Sequence, residues 1–332
     1  RAQLRSGQPA VTKVKDPGEI LSMIPFMLGF DPYESLVVIA LEGPRRRFGP
    51  CCRIDLVDDP DDVSLQASYL VDLVEHHGFG PVIIAVYSDR PAVADPVMAD
   101  LLTRLEGRGV EVIEALRADG ARWWSYVCKD PRCCSPGGTP YDVGTSRVAV
   151  EAVVAGMSRA PDRETLREQF EAVPERQAAL VEALASLEGQ PPLGCDDVVP
   201  TVKGWLGRAE EISMDEASAL VLAVQDVGIR DRAWSAMTRA NAPDHLALWR
   251  HVMQCSPEPL MAPVGALAAF AAWLSGRGVL ASHAAERVLV VHPDYSMARL
   301  VLGLCERSVN PSVWSGFPSP SASSSRRALP PA

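Results

Sequence analysis

The chain is 332 residues long, with a net charge of −10 and a pI near 5.2. That length exceeds what one compact core usually holds, so two domains are expected, and a hydrophobic share of 47% fits a globular protein. The acidic balance argues against a broad electrostatic surface for nucleic acid, which usually needs a basic domain, and leaves room only for a local basic patch.

The sequence contains no run of about eighteen apolar residues, so no membrane-spanning helix is expected. The opening stretch RAQLRSGQPAVTKVKD lacks the apolar core of a signal peptide. These features point to the cytoplasm. Its eight cysteines are then expected to be thiols, metal ligands or redox groups rather than a disulfide framework.

Taken in chain order, residues 1–15 read as a flexible N-terminus. Residues 17–30 carry Ile20, Leu21, Ile24, Met27 and Leu28 at helical spacing, with a kink or two short turns expected at Pro25. SLVVIALE at 35–42 is a run of β-branched and apolar residues, which predicts a buried strand. Arg45, Arg46 and Arg47 read as a solvated turn. The strand expected over 51–57 alternates Cys52, Ile54 and Leu56 against Arg53 and Asp55, so Cys51 and Cys52 should face opposite ways. A helix over 61–76 is expected to carry Val63, Leu65, Tyr69, Leu70 and Leu73 on one stripe, capped by Asp61 or Asp62. A buried strand follows at 81–88 and a helix at 91–107. Strands at 110–118 and 122–127 should be joined by an Asp119-Gly120 hairpin. The alternation predicts an α/β (α+β) domain over 16–145 with a mixed sheet and flanking helices.

From about 146 the character becomes helical. Ten helical patterns recur, near 146–158, 162–172, 174–188, 197–209, 213–227, 229–240, 243–254, 259–275, 279–291 and 295–306. Asp162 and Ser213 read as helix caps. These patterns predict an all-helical domain over 146–315. The Pro/Ser-rich residues 316–332 read as a disordered tail.

The most unusual stretch is RWWSYVCKDPRCCSPGGTPYD at 122–142. Arg122, Trp124 and Tyr126 should share one face of a strand, with Trp123 on the other. Such a row offers a stacking surface for a planar ligand or peptide, or simply becomes core between domains. Cys128, Cys133 and Cys134 are spaced C-x4-C-C. They read as packed thiols, as a metal site with zinc the first candidate, or as a redox pair. Against the metal stands the adjacency of Cys133 and Cys134. A fourth ligand is sought among Cys51, Cys52, Cys195 and the histidines of the helical half: His245, His251, His283 and His292. Gly137 and Gly138 read as a tight turn, with Asp142 and Thr145 as caps of the next helix. Asp31, Glu34, Asp55, Asp58, Asp59, Asp61 and Asp62 crowd strand ends, where metal-dependent hydrolases place ligands. The DDPDD run nevertheless reads more simply as an acidic helix start.

IPFMLGFDPYESLVVIAL (24–41) and the 122–142 segment resemble the two signatures of the actinobacterial DUF4192 family. AAFAAWLSGRGVLASHAAERVLVVHPDYSMARLV (268–301), with Pro-Ser-Val-Trp at 311–314, is similar to its C-terminal portion. The resemblance spans roughly 15–315 and implies a fold and a source rather than a reaction.

Two functions remain. One is a non-enzymatic binding or regulatory protein that uses the Trp/Cys segment to meet an unidentified protein or small molecule. The other is a metal- or thiol-dependent enzyme with its site between the two halves.

Overall fold

The structure, a computed structural model, describes residues 14–317 apart from 156, 190 and 192. Except for Val14, Lys15, Gly316 and Phe317, the expected flexible N-terminus (1–15) and tail (316–332) lie outside the described residues. The chain forms two compact units that divide between Leu166 and Arg167.

The first unit is a mixed six-stranded sheet with helices. Its elements are α1 (Pro17–Leu28), β1 (Ser35–Glu42), β2 (Arg47–Asp55), α2 (Pro60–His76), β3 (Val82–Tyr87), α3 (Pro91–Gly107), β4 (Val112–Ala118), β5 (Arg122–Ser125), β6 (Thr139–Pro140) and α4 (Arg147–Val154). The strand order is β2-β1-β3-β4-β5-β6. Only β3 and β4 pair in parallel, and α3 is the crossover that a parallel pair requires.

Alternation along the strands gives the sheet two faces. Leu36, Val38, Ile84, Val86 and Ala115 point to one and pack against Leu70, Val71 and Val74 of α2 and Val97, Met98 and Leu101 of α3. The other face carries Val37, Ile39, Ile83 and Leu116, all buried, and α1 contacts this side of the sheet. Cys52 packs with the α2/α3 core. Cys51, its neighbour on the strand, faces the other way, and burial raises its thiol pKa.

Four local expectations change. Helix α1 runs unbroken through Pro25. A proline there cannot donate to the carbonyl of Leu21, but the Tyr87 hydroxyl donates to that carbonyl at 2.9 Å. The bond a helix would have made is thus supplied from β3. On α2 the expected Leu70 and Leu73 are buried and Val63 packs against the core, but the stripe runs through Ala67, Val71 and Val74 while Leu65 and Tyr69 face outward. Asp59, not Asp61 or Asp62, caps this helix, accepting from Asp61 N at 3.0 Å. Strand β2 begins at Arg47, directly after the turn that holds Arg45 and Arg46, and Arg46 pairs with Glu111 at 2.9 Å.

Helix α4 belongs to the first unit, so the division falls at 166/167 rather than 145/146. Its buried Val148, Ala149 and Ala152 share a cluster with Met23 and Phe26 of α1. Arg147 pairs with Glu19 at 2.9 Å, and Ala160 N donates to Gly29 O at 2.7 Å. A short α5 (Arg163–Glu168), capped by Asp162, straddles the division.

The second unit is helical among its described residues: α6 (Pro174–Ser186), α7 (Val198–Trp205), α8 (Met214–Ala223), α9 (Val227–Ser235), α10 (Ala242–Cys255), α11 (Glu258–Leu274), α12 (Gly278–Val291) and α13 (Ser296–Glu306). Each of the ten expected helical patterns has become a helix. Ser213 caps α8 as its spacing predicts. Helix α11 is buried at every residue from Met261 to Leu274, so it forms the centre of this unit. At Gly265 the neighbours come so close that a Cβ would stand 2.5 Å from Val288 of α12 and 3.0 Å from Met253 of α10. The Pro-Ser-Val-Trp segment ends in an aromatic cluster, in which Trp314 stacks on Trp234 at 6.0 Å and meets Phe270 edge-on. Among the described residues, no helix is long and apolar enough to cross a membrane.

Candidate functional site

The 122–142 segment starts on β5 near one edge of the sheet and ends on β6, the edge strand. Alternation sends Trp123 toward α1, where it is buried beside Gly18. Trp124 takes the opposite face. Directly across the ladder from it stands Arg117 of β4, a nearly buried arginine whose guanidinium lies 3.8 Å from the Trp124 ring centre. Sequence reading had not included Arg117 in the site. The signal was present: the Asp119-Gly120 turn fixes the hairpin register, and that register sets position 117 opposite 124.

The returning loop closes on the same ring. The indole N–H of Trp124 donates to Pro136 O at 3.1 Å. Gly138 has φ +77° and lies so near the indole that a Cβ would stand 2.6 Å from two of its carbons. Only glycine fits there, because both the backbone conformation and the space exclude a side chain. Arg122 donates to the carbonyls of Gly137 and Gly138 at 3.2 and 3.0 Å. Tyr126 packs on the α2/α3 core and donates to Asp95 at 2.6 Å. Burial, then the Asp95 hydrogen bond, raises its phenol pKa. The aromatic surfaces expected for stacking are therefore largely engaged within the unit. Arg122, Trp123, Trp124 and Tyr126 act as the frame that seats the loop.

On that frame sit the cysteines. Cys128 N donates to Ser125 Oγ at 3.0 Å, and Ser125 in turn donates to Glu114 at 2.7 Å. The carbonyl of Asp130 accepts from both Cys133 N and Cys134 N, at 3.0 and 2.8 Å. This turn brings two adjacent residues back toward Cys128. The three sulfurs lie within 4.8 Å of one another. Cys133 is exposed, while Cys128 and Cys134 are half-buried. Hydrogen bonds from the Cys134 thiol and then the Asp130 backbone hold the Cys128 thiol below its ordinary pKa. Burial first, then the two neighbouring thiols, pushes Cys134 up to about 12.

The donor set fits a thiophilic ion. Zinc–thiolate bonds of about 2.3 Å put tetrahedral sulfurs about 3.8 Å apart, within reach of this spacing. The fourth ligands sought in the sequence do not join the group. Cys51 and Cys52 lie on β2 at the other edge of the sheet, four strands and on the order of 19 Å from β5. Cys195, His245, His251, His283 and His292 belong to the second unit. Asp130 is occupied by Arg132, at 2.9 Å from Oδ2 to the guanidinium and 2.9 Å from Oδ1 to the backbone N–H.

The other constellations resolve differently. Asp142 accepts from Gly144 N and Thr145 Oγ1 and so closes a local turn, while α4 begins at Arg147 and Ser146 before it makes no side-chain cap bond. Four of the seven strand-end carboxylates are bound to arginines: Asp31 to Arg159, Glu34 and Asp58 to Arg90, and Asp55 to Arg53 and Arg163; Asp59, Asp61 and Asp62 form the start of α2. Cys255 lies 3.6 Å from His251, whose other nitrogen lies 3.5 Å from Glu211. That order resembles a nucleophilic triad, but Cys255 has no exposed surface and burial pushes its thiol up to about 11. A nucleophile must be reachable and ionised, so this contact is core packing.

Comparison with known proteins finds no match among the curated proteins and none among the solved structures. The family described as "Domain of unknown function (DUF4192)" matches residues 17–312, nearly the whole described chain, and the protein therefore belongs to DUF4192.

Proposed function

We propose that this protein is a non-enzymatic binding or regulatory protein that works through the loop 128–138, and that the loop holds one thiophilic metal ion, zinc first, on Cys128, Cys133 and Cys134. The observation that carries this reading is the convergence of three sulfurs on a loop already seated by Arg122, Trp124 and Gly138. Unfilled thiols gain little from such an arrangement, whereas a metal site requires it. We assign the chain to the reducing cytoplasm of an actinobacterium, with its eight cysteines as free thiols in support.

Metal analysis of untagged protein, purified reduced and without chelator, tests the reading beside a free-thiol count. Near-stoichiometric zinc that is lost in both Cys128→Ser and Cys133→Ser is the expected result. Eight free thiols and no metal, even after zinc is offered, would remove the proposal.

The metal-dependent enzyme has one observation in its favour, since three protein ligands is the count of a catalytic zinc centre. Three thiolates, however, leave a divalent ion with net negative charge. Such an ion polarises a bound water poorly compared with one held by neutral imidazoles. Binding is therefore the better use of this site.

A further inference from the structure

We infer that an ion held by Cys128, Cys133 and Cys134 keeps one coordination position open and takes there a monodentate sulfur or imidazole nitrogen donor from outside the chain. The inference rests on the metal reading above and adds what the metal is for.

Ligand count is the first argument. Zinc in a closed structural site has four protein ligands, and the group here has three. Carboxylates of the loop and of the residues that seat it already accept other bonds. Asp130 is bound on both oxygens by Arg132. Glu114 accepts from Ser125 Oγ at 2.7 Å and Ala115 N at 3.0 Å. Asp95 accepts from Tyr126, and Asp142 from Gly144 and Thr145. Recruiting Asp130 or Asp142, each engaged on both oxygens, would break a bond that shapes this unit.

Accessibility is the second argument. Cys133 is exposed, as are Lys129, Pro131 and Arg132 around it. An ion on this sulfur sits at the protein surface, where a foreign donor can reach it.

Charge and softness select the donor. Three thiolates on a divalent ion carry one net negative charge. A hard anion such as a carboxylate or phosphate would add charge without matching the soft site. A neutral imidazole adds none. A thiolate adds one but matches the ion's softness, and Lys129, an exposed cation, follows Cys128 in the chain. The partner is therefore a molecule that presents a histidine-like ring or a thiol.

Cobalt(II) loaded into the full chain reports on this directly, because its visible bands follow coordination. Imidazole, a monodentate aliphatic thiol and acetate are titrated separately into the loaded protein. The expected result is a shift of the ligand-field bands with imidazole or with thiol, saturating at one donor per cobalt, and none with acetate. The arm that responds at lower concentration identifies the donor class. A band shift on raising protein concentration alone would make a second copy the source, which also supports an outside donor. X-ray absorption of the zinc form should give three sulfurs and one light atom. Bands unmoved by both donors, or four protein ligands in the absorption data, would overturn the inference while leaving the metal site standing. Absence of any sulfur-to-cobalt charge-transfer band would instead sink the metal reading itself.

Discussion

Gly138→Ala separates a seated loop from a loose one. Residue 138 has φ +77°, and a Cβ there would stand 2.6 Å from Trp124 Cε2 and Cζ2. The left-handed conformation alone costs an L-residue about 1–2 kcal/mol. The contact falls roughly 1 Å short of normal carbon separation, which a packed ring tolerates poorly. The indole cannot easily retreat, since Arg117 lies over its face and Pro136 O holds its N–H. The loop must therefore lift and give up the two Arg122 hydrogen bonds. These terms disfavour the seated loop by about 1.5–3 kcal/mol, which lowers zinc affinity by up to roughly 10- to 150-fold when only the seated form binds. Competition with a chromophoric zinc chelator measures the affinity, and Trp124 fluorescence reports the lifting. Gly137→Ala is the control, because a Cβ there meets only Ser135 Oγ, at 3.7 Å. It should bind zinc within about twofold of the parent. Equal affinities in the parent and Gly138→Ala, or equal losses in the two variants, would refute the reasoning.

Three further outcomes are expected. Tyr87→Phe removes the donor to Leu21 O and leaves a buried carbonyl unpaired, so urea denaturation should show the first unit destabilised by about 1–3 kcal/mol. Gly265→Ala drives a methyl into Val288 and Met253. Strain of about 1–3 kcal/mol should outweigh the gain in helix propensity, and a raised melting temperature would contradict it. His245 is fully buried, and that burial holds its pKa down to about 4 from an ordinary 6.5. Below about pH 6.5 the unfolded chain takes up a proton that the folded chain refuses. Stability should therefore fall by roughly 3 kcal/mol between pH 6.5 and 4 and then level off with respect to this group. His245→Gln should flatten that part of the pH profile, as followed by chemical denaturation at each pH.

Regular elements were legible where a single stretch carries its own signal. SLVVIALE is apolar at its inward positions from Leu36 to Leu41 on both faces, and the helical patterns after residue 146 each hold a buried stripe. Misreadings arose where a distant residue decides. Pro25 is tolerated in α1 because Tyr87, 66 residues from the Leu21 carbonyl it serves, supplies the missing donor. Leu65 and Tyr69 have helical spacing, but the stripe through Ala67 and Val71 is the one the sheet covers. Strand β6 is two residues long and contains a proline, so it has almost no local pattern. In the loop, the adjacency of Cys133 and Cys134 counts against shared ligation when read as sequence. The turn on Asp130 O, which folds both toward Cys128, is a backbone feature that side-chain identity does not announce.

Position gives the loop a second consequence. It ends in β6, whose two residues are all that pairs with the outer side of β5. Pro140 has no N–H to offer a further strand, so the finished edge is blunt. If the loop lifts, Arg122–Ser125 becomes an unpaired edge with two tryptophans, the kind of template on which strands of other molecules assemble. Damage at the cysteines would then appear as self-association of an otherwise folded protein, rather than as loss of its helices or its sheet.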